Sequence, residues 1–195
     1  MDRNLLSGFD DVDLAQHLIA EFHDDMRGRI GRLHMLTYLS WSLGIGGAML
    51  PGGTISYRAW TEARQCFING LFVATVQLCQ ALMENLLASE MESRLNPIDL
   101  PDKATAKKIR AKSREARFIS EDEERDLECL ENLRNPLTHY RNTNDPGHID
   151  QRAMQEDVFS DSLLERDAVF AITTAMRMVA KPSFCLKMPL MQDGQ

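Results

Sequence analysis

Residues 56–95 read SYRAWTEARQCFINGLFVATVQLCQALMENLLASEMESRL and form the most hydrophobic segment of the chain. The segment is dense in Ala, Leu, Met, Phe and Val, and it contains no proline before Pro97. Because the residue before a proline is disfavoured in the helical region, we predict one long helix that ends at Asn96. This helix is the expected core element.

Polar side chains interrupt this hydrophobic segment on one predicted face. Gln77, Gln80 and Glu84 recur at helical spacing. The pattern fits contact with solvent or with a partner helix, and it also fits polar groups that point into a cleft.

The residues before this segment predict an amphipathic helix and a loop. Apolar side chains recur with a 3.6-residue period from Val12 to Leu36, which is typical of an amphipathic helix. Gly28 and Gly31 weaken its middle, so a break there is open. The Gly and Pro content of residues 44–53 predicts a loop.

The second half of the chain predicts further helices. Residues 103–117 form a basic helical segment, and the pair Ser120 and Glu123 matches a capping box at the start of an acidic helix. Residues 142–147 predict a turn, and residues 161–180 predict a final helix that is closed by Pro182.

These elements together predict an all-α fold, a bundle of about five to six helices, because no segment alternates with the period of a strand. We predict three parts. Residues 1–55 form an N-terminal helix and Gly-rich loop packed on the core, residues 56–180 form the bundle, and residues 181–195 form a loosely ordered tail.

The bulk properties favour a cytoplasmic protein outside the membrane. The 195-residue chain has a net charge of −7, which argues against indiscriminate binding of polyanions. Its N-terminus lacks the pattern of a secretory signal, and its longest uncharged stretches are broken by Gly and Pro or carry Gln and Asn. The four cysteines show no metal-ligand or disulfide spacing, so we expect buried, reduced thiols.

The segment with the clearest chemical potential is Arg134-Asn-Pro-Leu-Thr-His139. Asn135 followed by Pro136 matches a helix N-cap with proline at the first helical position. We therefore predict that one helix ends near Arg134 and a short one begins at Asn135. Such a corner would let Arg134 and His139 converge at a helix N-terminus, where free N–H groups favour an anion.

An arginine and a histidine at an anion site suit RNA cleavage without a metal or another cofactor. Histidine can transfer protons to and from the ribose hydroxyl and the leaving oxygen, and arginine can stabilise the charged phosphorane. One histidine cannot easily perform both transfers. A symmetric homodimer that brings two copies of His139 together would remove that difficulty.

The motif resembles that of the HEPN superfamily, whose ribonuclease members carry Arg, a polar residue that is often Asn, three further residues and His. Arg134, Asn135 and His139 match that order. The resemblance covers about residues 56–180. It implies a helical bundle, a homodimer with paired motifs in a cleft, metal-independent endoribonuclease activity, and use in toxin–antitoxin or phage-defence systems with a cognate antitoxin protein.

The resemblance assigns catalytic roles to three residues. Arg134 binds phosphate and stabilises the transition state, His139 acts as general acid and base, and Asn135 positions the corner. Some members of the family carry a modified tyrosine two residues after the histidine. In this chain Arg141 takes that place and Tyr140 follows the histidine directly, which puts the modification in doubt.

Neighbouring polar and basic residues are candidates for RNA contact. The candidates are Thr138, Arg141, Lys107, Lys108 and Arg110. The basic run has an equally good alternative, a solvated helix face that pairs with the acidic residues following it.

Other interpretations of the motif remain open. Arg134 could form an ion pair with Glu131 or Glu128, and His139 could be a satisfied residue under a loop. The alternative function is a non-catalytic helical module that dimerises or binds a nucleotide or protein. Arg29 and His34 repeat the bare spacing without the Asn, and we assign them to a helix surface.

Overall fold

The computed structural model of the chain describes residues 11–45, 47–48, 50–93, 98–101 and 103–186. Within these residues the fold is all-helical, as predicted, apart from one pair of two-residue strands. The helices are α1 (Asp11–Asp24), α2 (Met26–Ser42), α3 (Gly53–Ile68), α4 (Phe72–Glu92), α5 (Ala106–Glu115), α6 (Glu121–Thr138), α7 (Ile149–Glu156) and α8 (Ser160–Val179). The eight helices of the described residues exceed the predicted five to six.

Helix α4 lies at the centre of the bundle. It packs against α3, α5, α6 and α8. Its buried side chains, among them Val76, Leu82 and Leu86, cover about half of its circumference. The prediction that this hydrophobic segment forms the core is therefore confirmed.

The prediction of one helix through residues 56–95 is wrong, because the chain reverses between α3 and α4. Gly70 has a φ of 75°, the left-handed conformation that glycine adopts without strain. The Leu71 amide binds the Cys66 carbonyl at 2.8 Å and the Gly70 amide binds the Phe67 carbonyl at 3.1 Å, which is a Schellman motif. Helix α4 ends at Glu92, and Asn96-Pro97, where the helix was predicted to end, lies outside the described residues.

The predicted N-terminal helix is also divided, at Asp25 rather than at Gly28 or Gly31. Helix α2 packs against α3 and α8. Its buried Arg32 donates to the Ile68 carbonyl at 3.0 Å and pairs with Asp25, which fixes α2 to the α3–α4 turn. Residues 1–55 were predicted to pack on the core. Helix α1, however, buries none of its residues.

The two segments predicted to lack regular structure pair with each other. Strand β1 (Gly47–Ala48) in the predicted loop is antiparallel to β2 (Cys185–Leu186) in the predicted tail. Phe184 is buried in the core, so the start of the 181–195 segment is docked rather than loose. Residues 187–195 lie outside the described residues.

Helix α7 was not predicted, whereas the turn before it was. Residues 142–147 form turns and bends as expected. His148 then acts as the N-cap of α7, because its Nδ1 accepts from the Asp150 amide at 3.3 Å. The eight-residue helix is too short to show a clear apolar period in the sequence.

Cys66, Cys79 and Cys129 are free thiols of differing exposure. Burial raises the pKa of the Cys79 thiol, as predicted for a buried cysteine. Cys129 is exposed, which contradicts the expectation that all the thiols are buried. Within the described residues, no helix has both the length and the apolar character that a bilayer span needs.

The ion pair between α7 and α8 gives a prediction for stability. Arg152 donates to both oxygens of the buried Asp167, at 2.7 and 3.1 Å. Because Asp167→Ala would leave a largely buried guanidinium unpaired, we expect the free energy of unfolding in urea to fall by about 3 kcal/mol. The matched control is Glu156→Ala, which removes an exposed pair with Arg166 and should change stability far less. Equal losses for the two variants would contradict this account.

The ion pair between Glu123 and Lys181 predicts how the stability of the protein depends on pH. Burial opposes ionisation of Glu123, but the hydrogen bond from Lys181 and the Ser120 amide outweigh it and lower the pKa of this carboxyl. Because its pKa is lower in the folded protein, the ionised carboxyl of Glu123 stabilises the fold at pH values above its pKa in the unfolded chain. This stabilisation is lost as the pH falls through about 4 and below. We expect Glu123→Gln to be less stable than the unmodified chain at pH 7 and the difference to shrink at pH 3. An equal difference in stability at pH 7 and pH 3 would show that the ionised carboxyl of Glu123 does not stabilise the fold.

Candidate functional site

The motif lies at the C-terminal end of α6, and the corner predicted at Asn135 is absent. Helix α6 continues through Pro136 to Thr138, and His139 follows as an extended C-cap residue with φ −118° and ψ 138°. The prediction that a new helix begins at Asn135 is therefore wrong. Proline in the last turn deprives only the Asn132 carbonyl of its amide donor, and a helix end tolerates that loss better than its middle.

The observed helix C-terminus carries the opposite partial charge to the predicted helix N-terminus. A helix N-terminus would offer free N–H groups to a phosphate, whereas the C-terminus of α6 presents carbonyl oxygens and a partial negative charge. Two side chains satisfy some of these carbonyls. Gln77 donates to the Leu137 carbonyl at 3.1 Å, and the Thr138 hydroxyl lies 3.2 Å from the carbonyls of Arg134 and Asn135. A phosphate at this end would have to be held by side chains.

Arg134 is half-buried, and its Nη1 donates to Asn135 Oδ1 at 3.2 Å. The carboxylates that were its alternative partners are engaged elsewhere. Arg110 of α5 binds Glu131 at 2.5 Å and Glu128 at 3.3 Å. Within the described part of the chain, Arg134 consequently has no carboxylate partner.

His139 is exposed, and its imidazole makes no hydrogen bond or ion pair with any residue that the structure describes. The residues beside it, Thr138 and Tyr140, are exposed too. Helix α6 ends at Thr138, and the extended His139 follows it, so Arg134 and His139 lie at the same end of α6. No contact joins the two side chains within the described residues.

The candidate RNA-contact residues fall into three groups. Lys107 and Lys108 are exposed on α5. Arg110 is buried, with its side chain 8% exposed and held by the two α6 carboxylates, so its guanidinium is not available to RNA. The alternative for the basic run was a solvated helix face that pairs with the acidic residues following it. Arg110 has such a pair but is not solvated, whereas the partly exposed Arg114 pairs with Glu124 at 3.6 Å. Arg141 is half-buried and pairs with Asp145 at 3.0 Å.

Arg141 also lines a groove that the sequence did not predict. The groove has a volume of about 560 Å³ and lies between one face of α6 and residues 141–152. Its lining includes Arg125, Cys129, Asn132, Pro136, Arg141 and Arg152. The α6 members recur every three or four residues, but their spacing alone could not show that a turn and α7 would form the opposite wall.

The charges that line the groove are paired. Arg125 pairs with Asp122, Arg141 with Asp145 and Arg152 with Asp167, while Glu128 pairs with Arg110. A hydrogen bond from the Gly147 amide and one from Arg141 lower the pKa of Asp145, which therefore stays ionised near neutral pH. An anion that entered the groove would have to compete with these carboxylates for the arginines.

Metal ligands do not cluster among the residues that the structure describes, where no three His, Cys, Asp or Glu side chains converge on a common position. Comparisons of the chain with protein-family models, with curated proteins and with solved structures found no match.

The unbroken helix predicts that Pro136→Ala stabilises the protein. Alanine restores an amide donor to the Asn132 carbonyl, and the gain should exceed the entropy that proline removes from the unfolded chain. We expect the free energy of unfolding to rise by about 1–2 kcal/mol. Pro146→Ala, in the exposed turn, is the control and should not raise it. A loss of stability in Pro136→Ala would instead support a helix start at this proline.

Proposed function

We propose that the protein is a metal-independent endoribonuclease that acts as a homodimer, with Arg134 and His139 as its catalytic residues. The observation that carries the proposal is the state of these two side chains. A half-buried guanidinium without a carboxylate partner and an exposed imidazole without a hydrogen bond occupy the same end of α6 within the described residues. Arginine without a carboxylate is the state in which its charge is available to phosphate.

The chemistry assigns one role to each group. His139 of one copy removes the proton from the ribose 2′-hydroxyl, whose oxygen attacks the adjacent phosphorus. Arg134 stabilises the negative charge of the phosphorane, and the bond to the 5′-oxygen breaks as His139 of the second copy supplies a proton. The products are a 2′,3′-cyclic phosphate and a 5′-hydroxyl. Because the C-terminus of α6 offers no free amides, stabilisation of the phosphorane depends on Arg134.

Asn135 is a positioning residue in this proposal. Its side-chain oxygen accepts from Arg134 Nη1 and limits the directions the guanidinium can take. Thr138, Arg141, Lys107 and Lys108 would contact the RNA outside the reacting phosphate. Arg141 is suited to lead the strand from the His139 end of α6 into the groove, because it follows His139 by two residues and lines that groove.

The biological setting follows from the resemblance stated above. A ribonuclease of this class would act in the cytoplasm as a toxin or phage-defence component, and a cognate antitoxin protein would restrain it. Expression that stops growth only when His139 is intact would support this setting.

The test is RNA cleavage by the purified chain in EDTA. We expect Arg134→Ala and His139→Ala each to lower the rate at least 100-fold, since each removes a group that acts in the transition state. His34→Ala is the matched control: it removes an exposed histidine five residues after an arginine, and it should leave the rate unchanged. Circular dichroism should show equal helix content in all variants.

The alternative is an RNA- or nucleotide-binding module, which the arginine-lined groove favours. Such a module would retain RNA in a filter-binding assay, leave it whole, and lose affinity on Arg141→Ala but not on His139→Ala. That combination of results would replace the nuclease proposal.

A further inference from the structure

Helices α1 and α2 carry one uncovered apolar stripe. Its positions follow each other at steps of three or four residues: Val12, Ala15, Ile19, Phe22, Met26, Ile30, Leu33, Thr37 and Trp41. The large apolar side chains at these positions, apart from the half-buried Met26, are between 48% and 82% exposed. The stripe spans 30 residues, or about 45 Å of helix. An exposed apolar surface of this length marks an interaction site.

The stripe runs through the junction between the two helices. The guanidinium carbon of Arg29 on α2 lies 4.2 Å from the centroid of the Phe22 ring on α1. These two residues are seven apart, a spacing that shares one face after two helical turns. The contact therefore places the adjoining parts of the stripe on the same side of both helices, across the interruption at Asp25.

The charges on α1 and α2 indicate which kind of molecule covers the stripe. Helix α1 carries four acidic residues and no Lys or Arg, whereas α2 carries three arginines and no acid. Arg32 is buried and paired with Asp25, so Arg27 and the half-buried Arg29 supply the surface charge of α2. The acidic helix would be repelled by an anionic membrane surface. A second copy in antiparallel orientation would place each acidic α1 beside a basic α2, and a parallel copy would place like charges together.

We propose that a second copy of the chain covers this stripe as an antiparallel α1–α2 pair centred on Met26. In that register Ile19 faces Leu33 of the second copy, Phe22 faces Ile30, and Met26 faces itself. The stripe is therefore self-complementary, which a two-fold symmetric interface requires. The spacing that makes each helix amphipathic also fixes the register.

The centre of this interface lies at the same end of the bundle as His139. Arg32 contacts the Ile68 carbonyl and lies 5.5 Å from the Phe72 ring at the start of α4, and Gln77 of the next turns binds the Leu137 carbonyl of α6. A two-fold axis at Met26 would therefore lie toward the end of the bundle that carries the motif. Only the connection between this axis and the motif rests on the proposed function.

The first test measures mass by sedimentation velocity across a range of concentrations. The unmodified chain should be a dimer, and Ile19→Glu, which places charge in the stripe, should weaken dimerisation at least 10-fold. Ala20→Glu is the matched control: it adds the same charge at the next, equally exposed position off the stripe, and dimerisation should persist. A monomeric unmodified chain, or equal effects of the two variants, would overturn the proposal whatever the outcome for RNA cleavage.

The second test determines orientation by disulfide trapping, with the linked peptides identified by mass spectrometry. The double variant Ile19→Cys, Leu33→Cys should form a 19–33 link between copies, and neither single variant should link to itself. A 19–19 link would indicate a parallel pair and would contradict the proposal. Links confined to the natural cysteines would show that the stripe is not the interface.

Discussion

Helix α4 constrains the rest of the structure because four other helices pack against it. Its side chains Leu82 and Leu86 have no exposed surface. The chain reverses immediately before α4 at the left-handed Gly70, which lets α3 pack against α4. The same reversal creates the α3–α4 turn to which Arg32 fixes α2, and it places Gln77 against the end of α6. The start of α4, helix α2 and the motif end of α6 are therefore connected at one end of the bundle.

The motif end of α6 combines features that a purely structural role does not require. Arg110 satisfies the carboxylates that Arg134 could have used, so the half-buried Arg134 retains a charge without a carboxylate partner in the described residues. The adjacent helix C-terminus adds no donor for an anion. Any phosphate bound here depends on side chains rather than on backbone amides. In the proposed dimer a second copy would contribute its own motif, and the single histidine of each motif gives a chemical reason for that dimer.

Elements with a strong local signal were predicted well. The capping box of Ser120 and Glu123 is formed, and the basic segment before it is helical. The breaks were predicted poorly because their signals compete with long-range packing. Asn69-Gly70 marks a helix end in the sequence, yet the apolar residues on both sides suggested continuity. Asn135-Pro136 marks a helix start, yet tertiary contacts, including the bond from Gln77, maintain α6 through it.

The site was predictable only in part for the same reason. The identity of the motif residues follows from the sequence, but the partners of Arg110 and the second wall of the groove depend on how α5, α6 and α7 pack. The chemical structure of the ends of the RNA products tests the proposed roles of Arg134 and His139 most directly. Incubation with RNA in EDTA should yield 2′,3′-cyclic phosphate and 5′-hydroxyl ends. Products with 3′-hydroxyl and 5′-phosphate ends, or RNA left intact, would contradict these roles.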